Sequence, residues 1–144
     1  MRDRILGRDI QDWDVATSAS PAKVLRLFRK SEEVGAAFGV VLVKGTTATV
    51  EVASFRKDHD YADGRRPESV TFTTSVEADV ERRDFTINGL LYDPVADEVI
   101  DHVGGRDDIE QKLVRAIGSP RKRFKEDHLR MLRAVRFAAR LGFE

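Results

Sequence analysis

The 144-residue sequence contains no cysteine, which excludes a disulfide scaffold and thiolate-ligated metal sites and suits a reducing compartment. It has no apolar run near the roughly 20 residues of a membrane span, and its opening, MRDRILGRDI, lacks a signal-peptide core. A soluble, unsecreted, cytoplasmic protein with no membrane partner is the expectation. Repeats, low-complexity tracts and internal linkers are also missing, and the length suits a single core. Net charge is absent too, since 25 Lys/Arg balance 25 Asp/Glu. That balance hides an asymmetry: from Lys112 onward ten Lys/Arg face three Asp/Glu, leaving fifteen against twenty-two before it. The acidic part suits metal binding and the basic part suits polyanions.

What is present centres on Gln11-Asp12-Trp13-Asp14-Val15-Ala16-Thr17. A strand over Ile10–Ala16 would put Asp12 and Asp14 on one face, opposite Trp13 and Val15. Carboxylates that close call for a cation, and hard divalent ions such as Mg²⁺ take oxygen ligands and serve phosphoryl transfer. Glu51 alternates with Val50 and Val52 on a later strand, pointing away from the apolar face, and can complete a triad with Asp12 and Asp14. A solvated polar turn and an ordinary exposed strand Glu are the bland alternatives.

In chain order, residues 1–6 read as a helical end closed by Gly7. Ser20-Pro21 starts an amphipathic helix running to about Glu33. Phe38–Val43 and Thr47–Phe55 form a hairpin across Lys44-Gly45-Thr46. Residues 57–69, KDHDYADGRRPES, read as a mobile loop, and the acids within it fail the EF-hand spacing. A short strand over Val70–Thr74 precedes a helix from near Ser75. In Arg82-Arg83-Asp84-Phe85-Thr86-Ile87-Asn88-Gly89, phosphate- and hydroxyl-pairing groups sit on neighbouring helical turns, with a structural ion pair as the alternative. A hairpin over Leu90–Tyr92 and Glu98–Ile100 and a helix from Gly104 to about Leu113 follow.

Ser119-Pro120 then opens one long helix through Leu141. Leu129, Leu132, Val135 and Ala139 form its apolar stripe, while Asp127, Arg130, Arg133 and Arg136 recur at threes on a neighbouring face. Arginines so spaced repel unless an anion or an acidic partner lies over them. His59, His102 and His128 are too scattered to suggest a zinc site.

With DWDVAT, VEVASFR, YADGRRPESVTF, RRDFTINGL, DHVGGRDDI and KEDHLRMLRAVRFAARLGF in this order, the chain resembles the bacterial CCA-adding tRNA nucleotidyltransferases and poly(A) polymerases. These belong to the DNA polymerase beta-like nucleotidyltransferase superfamily, and the likeness runs from Arg2 to Phe143. The resemblance implies an α/β (α+β) nucleotidyltransferase head over 1–115, a small mixed or antiparallel sheet flanked by helices. Residues 116–144 would begin a helical neck that carries the base-reading helix.

The implied activity is template-independent addition of C and A to a tRNA 3′ end from CTP and ATP, with Mg²⁺ as cofactor. Asp12 and Asp14 would be the metal ligands and Glu51 the third catalytic carboxylate. Arg2 would take the triphosphate, Arg83 the nucleotide, and Asp84 and Asn88 the ribose neighbourhood. Asp127 and Arg130 would read the base edge, with Arg133 and Arg136 supporting that surface and the phosphates. The family's glycine-glycine turn before the Arg2-Asp3 block is absent, and relatives continue beyond the Glu144 position. A truncated head is therefore expected, with a poly(A) polymerase head or a non-catalytic nucleotide- or RNA-binding fragment as alternatives.

Overall fold

A computed structural model describes residues 1–10, 12–35, 38–61 and 63–144. Its elements are α1 (Arg2–Ile5), β1 (Asp14–Thr17), α2 (Pro21–Leu27), β2 (Ser31–Glu33), β3 (Val40–Lys44), β4 (Thr49–Ser54), β5 (Arg56–His59) and β6 (Ser69–Phe72). They continue with α3 (Val76–Glu81), a 3-10 turn (Thr86–Asn88), β7 (Leu91–Asp93), β8 (Glu98–Ile100), α4 (Gly105–Glu110), α5 (Pro120–Glu126) and α6 (Leu129–Leu141). The chain divides into two compact units. A sheet unit holds Ile10–His59 and Ser69–Asp79, and a helical unit holds Met1–Asp9, Asp60–Glu68 and Val80–Glu144.

The sheet unit is built on a four-stranded mixed sheet in the order β1-β4-β3-β2, with β1 parallel to β4 and the other pairs antiparallel. Such a sheet was the expectation. The alternation Val50-Glu51-Val52 sorts its faces, since successive side chains of a strand point oppositely. Val41 and Val52 are opposed in register and pack with Val24 of α2 as the buried core. Each such valine stabilises the unit by about 1.5 to 3 kcal/mol. Glu51 falls on the other face, opposite Asp14 on one side and Leu42 on the other.

Several boundaries differ from the sequence expectation. The α2 helix ends at Leu27, because Phe28 turns extended (φ −119°, ψ 106°), and Ser31–Glu33 joins the sheet edge as β2 instead of continuing the helix. Residues 57–69 are not all loop: β5 and β6 pair from Arg56↔Phe72 to His59↔Ser69, leaving only Asp60–Glu68 as the connection. Gly39 precedes β3 at φ +72°, and a Cβ there would lie 2.3 Å from Cε1 of Phe72. Only glycine fits, for conformation and for space.

The helical unit has its own core of Phe85, Ile87, Leu90, Ile109, Ala116, Phe137, Leu141 and Phe143. Phe85 and Phe137 meet edge to face, centroids 5.8 Å apart at 80°, the geometry the ring quadrupole favours. The expected long helix is two helices. Asp127 turns extended (φ −142°, ψ 105°) and separates α5 from α6.

The expected apolar stripe of α6 is also not its buried face. Leu132 and Val135 are each 69% exposed and Leu129 42%, whereas Arg130, Phe137 and Leu141 are buried. A stripe at threes and fours fixes a face of a helix, not which face packs. Here the Phe137 ring, Leu141 and the paired Arg130 guanidinium form the buried face instead.

Candidate active site

In the sheet unit, Asp14 opens β1 exactly where pairing with β4 begins, at Asp14↔Glu51. Side chains at directly opposed positions share a face, with strand axes about 4.8 Å apart. The two carboxylates are exposed, and neither is given a cationic partner by any described residue. Opposed like charges destabilise a sheet, so this pair is a place where a hard cation would relieve repulsion. Asp12 lies outside β1, since the strand is Asp14–Thr17 and not Ile10–Ala16. Strand alternation therefore does not set Asp12 beside Asp14. Gln11 lies outside the described residues. No group of three metal-ligating side chains is assembled among the described residues, so the fit to a cation rests on the Asp14–Glu51 pair.

The helical unit joins most of the other expected residues in one network. Arg2 binds Asp3 in a fork, Nε to Oδ1 and Nη2 to Oδ2 at 3.0 Å each, and its Nη1 donates to Oδ1 of Asn88 at 2.6 Å. The Arg2 hydrogen bonds hold the Asp3 carboxyl below the usual carboxylate range, outweighing partial burial. Asn88 donates through Nδ2 to Oδ1 of Asp84 at 3.1 Å, and the Phe85 N–H donates to the same oxygen at 2.8 Å. The other Asp84 oxygen accepts from Nε of Arg133 at 2.8 Å and lies 2.6 Å from its Nη2.

Asp84 and Asn88 do not sit on successive helical turns. Asp84 precedes a 3-10 turn and holds it closed, while Arg83 reaches the Asn88 carbonyl at 3.4 Å.

At the α5–α6 break, Oδ1 of Asp127 accepts from the Leu129 N–H at 2.9 Å, so this aspartate caps α6. Asp127 and Arg130 are thus not two positions along one helical face. Arg130 is 7% exposed; it donates to Oε2 of Glu126 at 3.0 Å, to the Arg123 carbonyl at 3.3 Å and to the Arg82 carbonyl at 3.2 Å. Three of the five guanidinium hydrogens are engaged, leaving two donors.

Arg136 is exposed, and its guanidinium lies 5.4 Å from the centroid of the Phe137 ring. Arg133 and Arg2 lie against the same ring, at 5.4 and 5.0 Å. Phe137, Asp3 and Glu126 are functional candidates that sequence reasoning did not single out. Their signals were adjacency to Arg136 and Arg2 and the four-residue step from Glu126 to Arg130.

The loop Asp60–Glu68 also touches this region within the helical unit. The Gly64 carbonyl accepts from the His128 N–H at 2.9 Å. A Cβ on Gly64 (φ +63°) would stand 2.8 Å from the His128 ring.

The sequence matches the family described as "Poly A polymerase head domain" over residues 1–115. The chain belongs to that family. Within it, the chain is 49% identical over 144 residues to the CCA-adding enzyme of Bacillus pumilus (strain SAFR-032), covering 100% of this chain and 36% of the relative. To that of Geobacillus kaustophilus (strain HTA426) it is 50% identical over 143 residues, covering 99% and 35%. The chain thus spans about a third of the length of these curated relatives.

Among solved structures, the Bacillus stearothermophilus CCA-adding enzyme in complex with CTP superposes with a TM-score of 0.88 at 44% identity, covering 99% of this chain and 33% of that one. A tRNA nucleotidyltransferase complexed with a primer tRNA and an incoming ATP analog matches at 0.75 and 30% identity, covering 99% and 40%. The sequence-based family assignment and the mixed α/β head hold. No helix among the described residues is long and apolar enough to cross a membrane.

Proposed function

We propose that this chain supplies the catalytic head of an enzyme that adds C and A to the 3′ end of tRNA from CTP and ATP, in the cytoplasm. One observation carries the proposal: the unrelieved Asp14–Glu51 carboxylate pair, in a chain 49% identical over its whole length to a CCA-adding enzyme. That relative favours CCA addition over poly(A) synthesis.

In the proposed reaction the terminal 3′-hydroxyl oxygen of the RNA attacks the α-phosphorus in line, a P–O bond forms, and the bond to the bridging oxygen breaks to release pyrophosphate. Asp12 and Asp14 would hold Mg²⁺, with Glu51 as the third carboxylate. Bound there, the ion supplies Lewis acidity, lowering the hydroxyl pKa and offsetting charge on the triphosphate.

This chain's own side chains do the rest. Arg2, Arg133 and Arg136 bind the triphosphate as charge-assisted donors, and Arg83 holds the nucleotide. Asn88, oriented by Asp84 and Arg2, faces the ribose. The Asp127 carboxylate accepts from the exocyclic amine of C or A, while Arg130 donates from its two remaining hydrogens to the base edge. Keto-bearing U and G forfeit that pairing, and an unpaired buried group costs about 1 to 3 kcal/mol. Residues 116–144 are proposed as the start of a helical neck, although Phe137, Leu141 and Phe143 share a core with Phe85 and Ile87 of the head.

The test is incubation with tRNA ending at the nucleotide before CCA, followed by sequencing of the products. Addition of C, C and A is expected from CTP with ATP. Runs of A alone would transfer the assignment to poly(A) synthesis.

A further inference from the structure

We propose that Phe137 is a positioning residue for the triphosphate, its ring gathering the guanidinium groups of Arg2, Arg133 and Arg136 into one anion-binding cluster. This rests on the reading that those arginines take the triphosphate. The guanidinium carbons lie 5.0, 5.4 and 5.4 Å from a single ring centroid, within the roughly 6 Å at which a π-face attracts a cation. One comes from the N-terminal helix and two from α6, so the ring joins segments that the sequence places far apart.

Three guanidinium groups that close repel one another. Asp3 and Asp84 offset two of them, and Arg136 has no acidic partner among the described residues. The cluster therefore keeps an excess of positive charge without a ligand. The ring attracts Arg136, which no acid in the cluster offsets, and unlike an acid it adds no negative charge to repel a phosphate. Its orientation is fixed: it is 7% exposed and set edge to face against Phe85 at 80°.

A core role and a cation-gathering role make different demands on the ring. Packing needs its volume, whereas gathering cations needs its quadrupole. Fluorination of the ring edge drains the quadrupole with little change of shape, so it separates the two.

The experiment measures binding of inorganic tripolyphosphate by titration calorimetry to the 144-residue chain carrying phenylalanine, or mono-, di- or trifluorophenylalanine, at position 137. Affinity is expected to fall stepwise with fluorination, by about tenfold over the series, with the melting temperature nearly constant. Phe137→Leu should weaken binding comparably, and Phe137→Tyr should retain it. Flat affinity across the fluorinated series would overturn the proposal. Arg2→Ala and Arg136→Ala separate it from the reading beneath it. If they weaken binding while fluorination does not, only the role of Phe137 falls. If they too leave binding unchanged, the triphosphate assignment falls with it.

Discussion

Arg133 of α6 closes on Asp84 with Nε at 2.8 Å and Nη2 at 2.6 Å from one carboxylate oxygen, across 49 residues of sequence. Asp84 is 9% exposed, and its other oxygen serves the Phe85 N–H and Asn88. The 3-10 turn is thereby tied to the helix that bears the arginines. Removing either partner leaves the other uncompensated, so Asp84→Ala and Arg133→Ala should each destabilise the fold by about 2 kcal/mol. The double variant should lose less than the sum, with a coupling of about 1 kcal/mol or more measured by urea unfolding. Strict additivity would show that the pair contributes nothing beyond its separate contacts.

Arg130 and Asp127 should separate stability from selection. Arg130→Ala removes three internal hydrogen bonds from a buried site and should cost about 2 to 3 kcal/mol in unfolding free energy. Asp127→Ala removes a cap on α6 and should cost about 1 kcal/mol. Both should also narrow discrimination of CTP from UTP by roughly tenfold, read as kcat/KM for each triphosphate with a tRNA acceptor. An equal loss for all four triphosphates would leave these residues a structural role only.

Asp101 gives a pH signature away from the site. Burial pushes its carboxyl up, but donation by the Arg106, Gly105 and Val103 N–H groups outweighs this and holds it below the usual range. These bonds cap α4, with distances of 2.9 to 3.1 Å. A depressed folded-state pKa means stability that is present above the unfolded value of about 3.9 and lost as pH falls through the folded value. Asp101→Asn should therefore be less stable than the parent at about pH 7 by about 1 kcal/mol, with the gap shrinking toward about pH 3. A gap independent of pH, in denaturant midpoints, would remove the charge from this explanation.

The parts of the fold legible in sequence were those fixed by local chemistry. The β3–β4 hairpin and the Ser-Pro helix starts at Ser20-Pro21 and Ser119-Pro120 follow from turn residues and capping. The α6 face was not legible. Leu129, Leu132 and Val135 carry the apolar periodicity, yet the buried side belongs to Arg130 and Phe137. Only the partners Glu126, Asp84 and Phe85, distant or across a helix break, make that face burial favourable.

The break itself was missed because Asp127 is not a strong helix breaker, and its capping of Leu129 shows only in three dimensions. For the candidate site, the residue types were legible but their mutual contacts were not. The strand register that opposes Asp14 to Glu51 is a non-local pairing. Neither spacing nor composition specifies it.

The most direct measurement of the central claim is extension of a radiolabelled tRNA lacking CCA, with the chain in excess over RNA, CTP and Mg²⁺ present, comparing the parent with Asp14→Asn and Glu51→Gln. Excess protein offsets the weak RNA grip expected of a chain in which basic residues outnumber acidic ones only from Lys112 onward. The parent should extend the RNA by C residues and release pyrophosphate. Asp14→Asn should abolish extension, and Glu51→Gln should slow it by at least about a hundredfold, with both variants folded, since these exposed carboxylates support no core. Equal product from the parent and Asp14→Asn, or no product from the parent, would contradict nucleotidyl transfer at this carboxylate pair.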